Sequence, residues 1–243
     1  MAEIIPAILP KSYGELETKL DIVAAHTNAV QLDICDGVYV PNRTWPYIRG
    51  ASDKMGDRIF ESLVNQEKAL PHWEEIDFEF DLMVKNPHEK IPDFISAGAS
   101  KIIVHRESVD ETELANIVRD YGKHSGELEP FDVELGIALK PSDIVDSVRE
   151  IASQIHFVQV MGISKIGFQG QKFDSRAEDL VRALKSTYPT LPISVDGGVT
   201  SDTAKLLVSA GADRLIVGSY LFNATDFSGT LERLGFLKEF YGA

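Results

Sequence analysis

ISVDGGVTSDTAKLLVSAGADRLIVGS, residues 193–219, contains one complete repeat of the fold. Residues 193–195 form a short β-prone run, and 214–217 form a second. Between them Ala204, Leu207 and Val208 fall on one face of a helix, since positions three and four apart share a side. Gly211 stands where the helix must stop, at the place a left-handed C-cap would occupy. The order strand, helix, strand with so short a return implies parallel strands joined by a helical crossover.

Working outward, the same unit recurs along the chain. Apolar runs at residues 4–9, 29–34, 78–84, 101–105, 133–139 and 155–161 precede the two already quoted. Their apolar residues run on instead of strictly alternating, the mark of strands buried on both faces. Helical faces lie between them: Leu16, Leu20, Val23 and Ala24; Leu114, Ile117 and Val118; Ile144, Val148 and Ile151; Leu180, Ala183 and Leu184. Ser96-Ala97-Gly98-Ala99 echoes Ser209-Ala210-Gly211-Ala212, a weak internal repeat of one βα unit. Eight strands alternating with helices predict a closed (β/α)8 TIM barrel. The rival, an open doubly wound sheet, usually carries a glycine-rich turn after its first strand. Here that turn reads Ala7-Ile8-Leu9-Pro10-Lys11, without glycine.

The 243 residues suit one such barrel, expected as a single domain over 1–243. The second crossover, from Tyr47 to Asp77, is long, with a helical stretch expected over 58–70; residues 122–130 read as an exposed loop; residues 231–241 read as the last helix. Hydrophobic residues make up 44% and charged residues 26%, enough to bury a sizeable core. A formal charge of −14 disfavours sequence-independent nucleic-acid binding, which needs a basic face, and adsorption to anionic membranes. Cys35 is the one cysteine, so an intrachain disulfide and a CxxC zinc site are excluded. With no leader-like start and no long apolar run, the expected location is the cytoplasm.

In this fold the reacting groups stand at the C-terminal ends of the strands. Those ends hold Gln31 and Asp33, Asp81, His105 and Arg106, Lys140, Met161, Asp196, and Gly218-Ser219. Carboxylates converging on one mouth are costly unless they bind a cation or share protons. Glycines gather late in the chain: Gly167 and Gly170 after the sixth strand, Gly197 and Gly198 after the seventh, Gly218 with Ser219 after the eighth. Glycine lets backbone N–H groups come close to an anion, and the last two loops are the usual phosphate cradle of such barrels. A small phosphorylated ligand is therefore expected. His105 is read as a hydrogen-bonded structural histidine, and the other histidines show no paired metal-ligand spacing.

Several segments closely resemble the ribulose-phosphate 3-epimerase family. They are Leu32-Asp33-Ile34-Cys35-Asp36-Gly37-Val38-Tyr39-Val40-Pro41-Asn42, then Leu82-Met83-Val84-Lys85-Asn86-Pro87, then Val195-Asp196-Gly197-Gly198-Val199. The resemblance implies an isomerase of carbohydrate metabolism, in the pentose phosphate pathway, interconverting D-ribulose 5-phosphate and D-xylulose 5-phosphate. It implies that Asp33 and Asp196 are the acid/base pair, that the glycine cluster with Ser219 binds the phosphate, and that the protein self-associates. The family's two metal-binding histidines are replaced by Gln31 and Asp81, and a serine near the end of the first strand by Ala7. Three readings follow. Asp33, Asp81, Asp196 and Gln31 form an all-oxygen set for Mg²⁺ or Mn²⁺ in preference to Zn²⁺. Alternatively a fixed cation replaces the metal, with Lys140 as first candidate beside Arg106 and Lys165. Or the chain is an inactive phosphosugar-binding barrel, or an epimerase or lyase of another sugar phosphate.

Overall fold

The computed structural model describes residues 2–47, 56–123 and 133–241, with side chains through residue 236. Eight strands run β1 Glu3–Ile8, β2 Ala29–Cys35, β3 Asp77–Met83, β4 Ala99–His105, β5 Glu134–Leu139, β6 Phe157–Met161, β7 Ile193–Asp196 and β8 Arg214–Val217. Each pairs parallel with the next, and β8 closes on β1 through Pro6 opposite Val217, so the sheet is a barrel without edges. The helices are α1 Tyr13–Val23, α2 Arg58–Val64, α3 Ile91–Ser96, α4 Glu111–Tyr121, α5 Arg176–Thr187, α6 Ser201–Ala210, α7 Ser219–Phe222 and α8 Phe227–Tyr241. This is the expected single-domain (β/α)8 barrel. Among the described residues, no helix is long and apolar enough to cross a membrane.

Strand alternation sorts the side chains into two layers. Val30, Leu32 and Ile34, Phe78, Phe80 and Leu82, and their counterparts on other strands join the helix-facing residues in one large apolar cluster. The intervening positions are more polar than an ordinary core. Near the base Glu79 and Arg214 form a buried ion pair, and Arg214 also donates to Ser194 Oγ at 3.3 Å and lies over the Phe157 ring at 5.7 Å. Further along the strands come Gln31 and Gln159, fully buried, and then Asp33, Asp81, His105 and Asp196, with Asp33 opposite Asp81 in the register. The barrel thus keeps its largest apolar cluster outside the sheet, and inside it polar groups run toward the mouth among smaller apolar clusters such as Cys35, Met83, Ile103 and Phe157.

Local chemistry sets the element ends. Thr200 and Thr203 form a reciprocal capping box at the start of α6, and Gly211 ends it in the left-handed region at φ 105°. Two sequence expectations change. The helical stretch expected over 58–70 stops at Val64, because Gln66 turns left-handed at φ 58° and Glu67 and Lys68 bond back to the Ser62 carbonyl. Ile144, Val148 and Ile151 do not mark an α-helix: the segment makes one 3₁₀ turn, Val145–Val148, followed by turns, and Ile144 is 65% exposed. Of the three, Val148 and Ile151 go inward. Of the loop expected at 122–130, residues 124–130 lie outside the described residues.

Candidate functional site

A cavity of about 690 Å³ opens at the C-terminal ends of the strands. Asp33 and Asp196 lie in its floor with Met83 and Met161, while Gly167, Gly170, Gly197, Gly198, Gly218 and Ser219 line the other side. All six residues expected around a phosphate therefore share one cavity with both aspartates. Gly198 illustrates why glycine is needed there. It adopts φ +68°, and a Cβ would lie 2.8 Å from the Phe173 Cα, a backbone atom that cannot swing aside.

The loop after β2 is built around Asp36. Its Oδ1 accepts from the Val38 and Tyr39 amides at 2.7 and 2.9 Å, and its Oδ2 accepts from the Lys85 amide at 2.8 Å, tying this loop to the one after β3. Thr44 donates to the Asp33 carbonyl at 2.9 Å and accepts from the Cys35 amide at 2.8 Å, so the chain around Asp33 is held from behind. Across the mouth, Asn42 donates to the Gly167 carbonyl at 2.7 Å and Gln169 donates to the Ala7 carbonyl at 3.2 Å. These two side chains clasp the loop after β6 to the β2 and β1 sides. Sequence reasoning did not single out Gln169, because its partner is 162 residues away.

The floor of the cavity concentrates negative charge. Asp33, Asp81 and Asp196 each offer a carboxylate oxygen, all within 4.8 Å of one another. Gln31 bridges two of them: its Nε2 donates to Asp33 Oδ1 at 2.9 Å and to Asp196 Oδ2 at 3.1 Å. Asp81 is bonded instead to His105, with Nε2 at 2.9 Å from Oδ1. Burial, followed by the charges of Asp196 and Asp81, raises the Asp33 carboxyl well above the usual carboxylate range, against the pull of Gln31. Burial and then Asp81 push Asp196 up to about 7, against Gln31 and His105. Burial also raises the Cys35 thiol, first among its causes, consistent with a cysteine that is no nucleophile.

Two buried oxygens in this cluster, Asp81 Oδ2 and Gln31 Oε1, find no hydrogen-bond partner among the described residues. An unpaired buried acceptor costs about 1–3 kcal/mol. Three converging carboxylate oxygens and two unpaired oxygen acceptors fit a hard divalent cation, whose preferred ligands are oxygens. The donor set can therefore hold a divalent metal.

The fixed cations go elsewhere. Lys140 is ion-paired with Glu107, Arg106 with Glu111, and Lys165 lies over the Phe168 ring at 4.9 Å. None of the three is among the residues lining the cavity, so the structure does not bring Lys140 to the aspartates. The cations that do line it are Lys172 and Arg233, on the side of the glycines.

The profile of the ribulose-phosphate 3 epimerase family matches residues 3–222. The chain belongs to this family. A ribulose-phosphate 3-epimerase of Candida glabrata is 28% identical over 250 residues, covering 97% of this chain and 91% of the relative. The cytoplasmic isoform of the same enzyme from Oryza sativa subsp. japonica is 30% identical, over 93% and 89%. Among solved structures, 3-hexulose-6-phosphate synthase from Salmonella typhimurium superposes with a TM-score of 0.66 at 16% identity, covering 98% and 99%, a likeness of fold alone. The family match spans all eight strands, the three aspartates and the glycines with Ser219; Arg233 lies beyond it.

Proposed function

We propose that the protein is a ribulose-phosphate 3-epimerase, interconverting D-ribulose 5-phosphate and D-xylulose 5-phosphate with Asp33 and Asp196 as its acid/base pair. The observation that carries this reading is the pairing of those two carboxylates, from strands on different sides of one cavity, through a single Gln31 amide. Epimerisation at C3 needs a base to take the proton beside the ketone and an acid to return one on the opposite face. Two carboxylates raised by burial and by neighbouring carboxylates serve that need, since each is able to hold a proton as well as to take one. The roles exchange when the reaction runs backward.

In this reading Gly167, Gly170, Gly197, Gly198, Gly218 and Ser219 take the phosphate, and Lys172 and Arg233 add positive charge on that side. With the phosphate held there, the carbon chain extends toward Asp33 and Asp196. Met83 and Met161 exclude water below it. Asp33, Asp81 and Asp196, joined by Gln31 Oε1 once that amide is turned, would hold Mg²⁺ or Mn²⁺ in preference to Zn²⁺. Bound there, the cation would supply positive charge beside the enediolate oxygens, commonly a large share of such catalysis. A cytoplasmic location belongs to the same reading, supported by the name of the rice relative, and so does self-association, which rests on family likeness.

The test is product identification with D-ribulose 5-phosphate and with ketose phosphates of other chain lengths, each with Mg²⁺, with Mn²⁺ and with chelator. The proposal expects D-xylulose 5-phosphate as product, with turnover abolished by chelator and restored by either metal. Turnover of a six-carbon phosphate alone, cleavage of a carbon–carbon bond, or binding without turnover would each replace it. Turnover that survives exhaustive chelation would remove the metal from the account.

A further inference from the structure

Three carboxylates packed into one buried floor each need a donor. Asp33 and Asp196 share the Gln31 amide, which has two N–H groups and gives one to each. Asp81 is not bonded to that amide, is fully buried, and takes its hydrogen bond from His105, itself 1% exposed. Only Asp81 Oδ1 is spent in this way. Oδ2 carries no hydrogen bond, and Asp81 is one of the three residues whose carboxylate oxygens converge.

We propose that His105 is a positioning residue for a divalent cation, holding one oxygen of Asp81 so that the other is presented to the metal beside Asp33 and Asp196. This rests on the reading that the cluster binds a cation. An aspartate carboxylate turns readily about its terminal bond, and the two orientations exchange its oxygens. The 2.9 Å bond from His105 Nε2 fixes one orientation. Toward an ionised Asp81, whose oxygen can only accept, Nε2 is the donor.

His105 is in turn held from the solvent side. The Tyr39 ring packs on it with centroids 5.8 Å apart, and the Tyr39 hydroxyl donates to Glu107 Oε1 at 2.8 Å. Glu107 pairs with Lys140, and Ser108 Oγ donates to the His105 carbonyl at 2.7 Å. Metal-binding histidines are ordinarily oriented by a carboxylate behind them. Here the order is inverted, with a carboxylate facing the cation and an imidazole behind it. The inversion accounts for Asp81 on β3, since a third buried negative charge is tolerated where a buried donor stands directly behind it.

The test is Mn²⁺ affinity of the purified full chain, read by titration calorimetry and by the electron paramagnetic resonance of free Mn²⁺, without substrate. Wild type is compared with H105Q, which keeps a donor, and H105L, which keeps bulk without one; melting curves in chelator report folding. H105L is expected to weaken Mn²⁺ binding about 10–100-fold, the usual effect of losing an outer partner, and H105Q to stay near wild type. If H105L does not fold, H105Q carries the test. A 10-fold loss in a well-folded H105Q, equal affinity in H105L and wild type, or equal loss in both variants would overturn the positioning role while leaving the cation site standing. Failure of the wild type itself to bind Mn²⁺ would overturn the cation site, and with it the role of His105.

Discussion

Replacing Asp196 by asparagine should stabilise the metal-free fold in mild alkali and leave it nearly unchanged in acid. The folded carboxyl holds its proton up to about pH 7, against an ordinary value of 3.8. Between those two values the unfolded chain releases the proton while the folded chain keeps it, so stability is lost as pH rises through the window. Above about 7 both forms are ionised and the penalty stays constant. Taken at face value the difference is about 4 kcal/mol, at roughly 1.4 kcal/mol for each tenfold change in proton affinity. Asp33 and Asp196 relieve each other when one is protonated, so a gain of about 1–3 kcal/mol is the working expectation. Asparagine is nearly isosteric and can still accept from Gln31, so packing changes little. The assay is urea unfolding of wild type and D196N in chelator at about pH 4 and about pH 8. D196N should exceed wild type at the higher pH and match it at the lower. An equal gap at both values, or a variant less stable in alkali, would refute the reasoning.

Three further outcomes follow from named contacts. R214M strands the buried Glu79 carboxylate without its ion partner and should cost about 3–5 kcal/mol in urea unfolding, while E79L/R214M together should recover most of the loss. G198A forces a Cβ to 2.8 Å from the Phe173 backbone at positive φ; a strain of about 1–2 kcal/mol should raise KM for the sugar phosphate roughly tenfold in steady-state assays. K140M should leave kcat within about twofold of wild type, because Lys140 is committed to a partly exposed pair with Glu107 outside the cavity; a hundredfold loss would return it to the site.

The barrel was legible because its signal is local and repeated. Outward-facing strand residues such as Leu32, Phe80 and Leu215 must meet helices, and helical stripes such as Leu114, Ile117 and Val118 supply them. Asp33, Asp196 and the late glycines were legible as well, since strand ends converge on one mouth whatever the details between. Contacts made across the barrel were not. Gln31 meets Asp196 at a separation of 165 residues, and nothing in either segment records that the amide will span both carboxylates. His105 is the hydrogen-bonded histidine the sequence leads one to expect, but its partner, Asp81 on the neighbouring strand, is set by barrel tilt and register. Lys140 follows β5 as expected, yet its side chain turns to Glu107 in the short turn after β4, a direction no strand pattern encodes. The spacing of Ile144, Val148 and Ile151 misled because periodicity records which residues are apolar and not which backbone they adopt: the segment makes a 3₁₀ turn that leaves Ile144 exposed.

The central claim is two-base proton transfer between Asp33 and Asp196. It is tested most directly by proton NMR of D-ribulose 5-phosphate with the protein in D₂O, for wild type, D33N and D196N. The account predicts that wild type incorporates deuterium at C3 as D-xylulose 5-phosphate appears. Each single variant should lose epimer formation, and at most one should still exchange the C3 proton in a given starting epimer, because one base remains on the matching face. Epimer formed at the wild-type rate by either variant, or conversion without deuterium entering at C3, would contradict it.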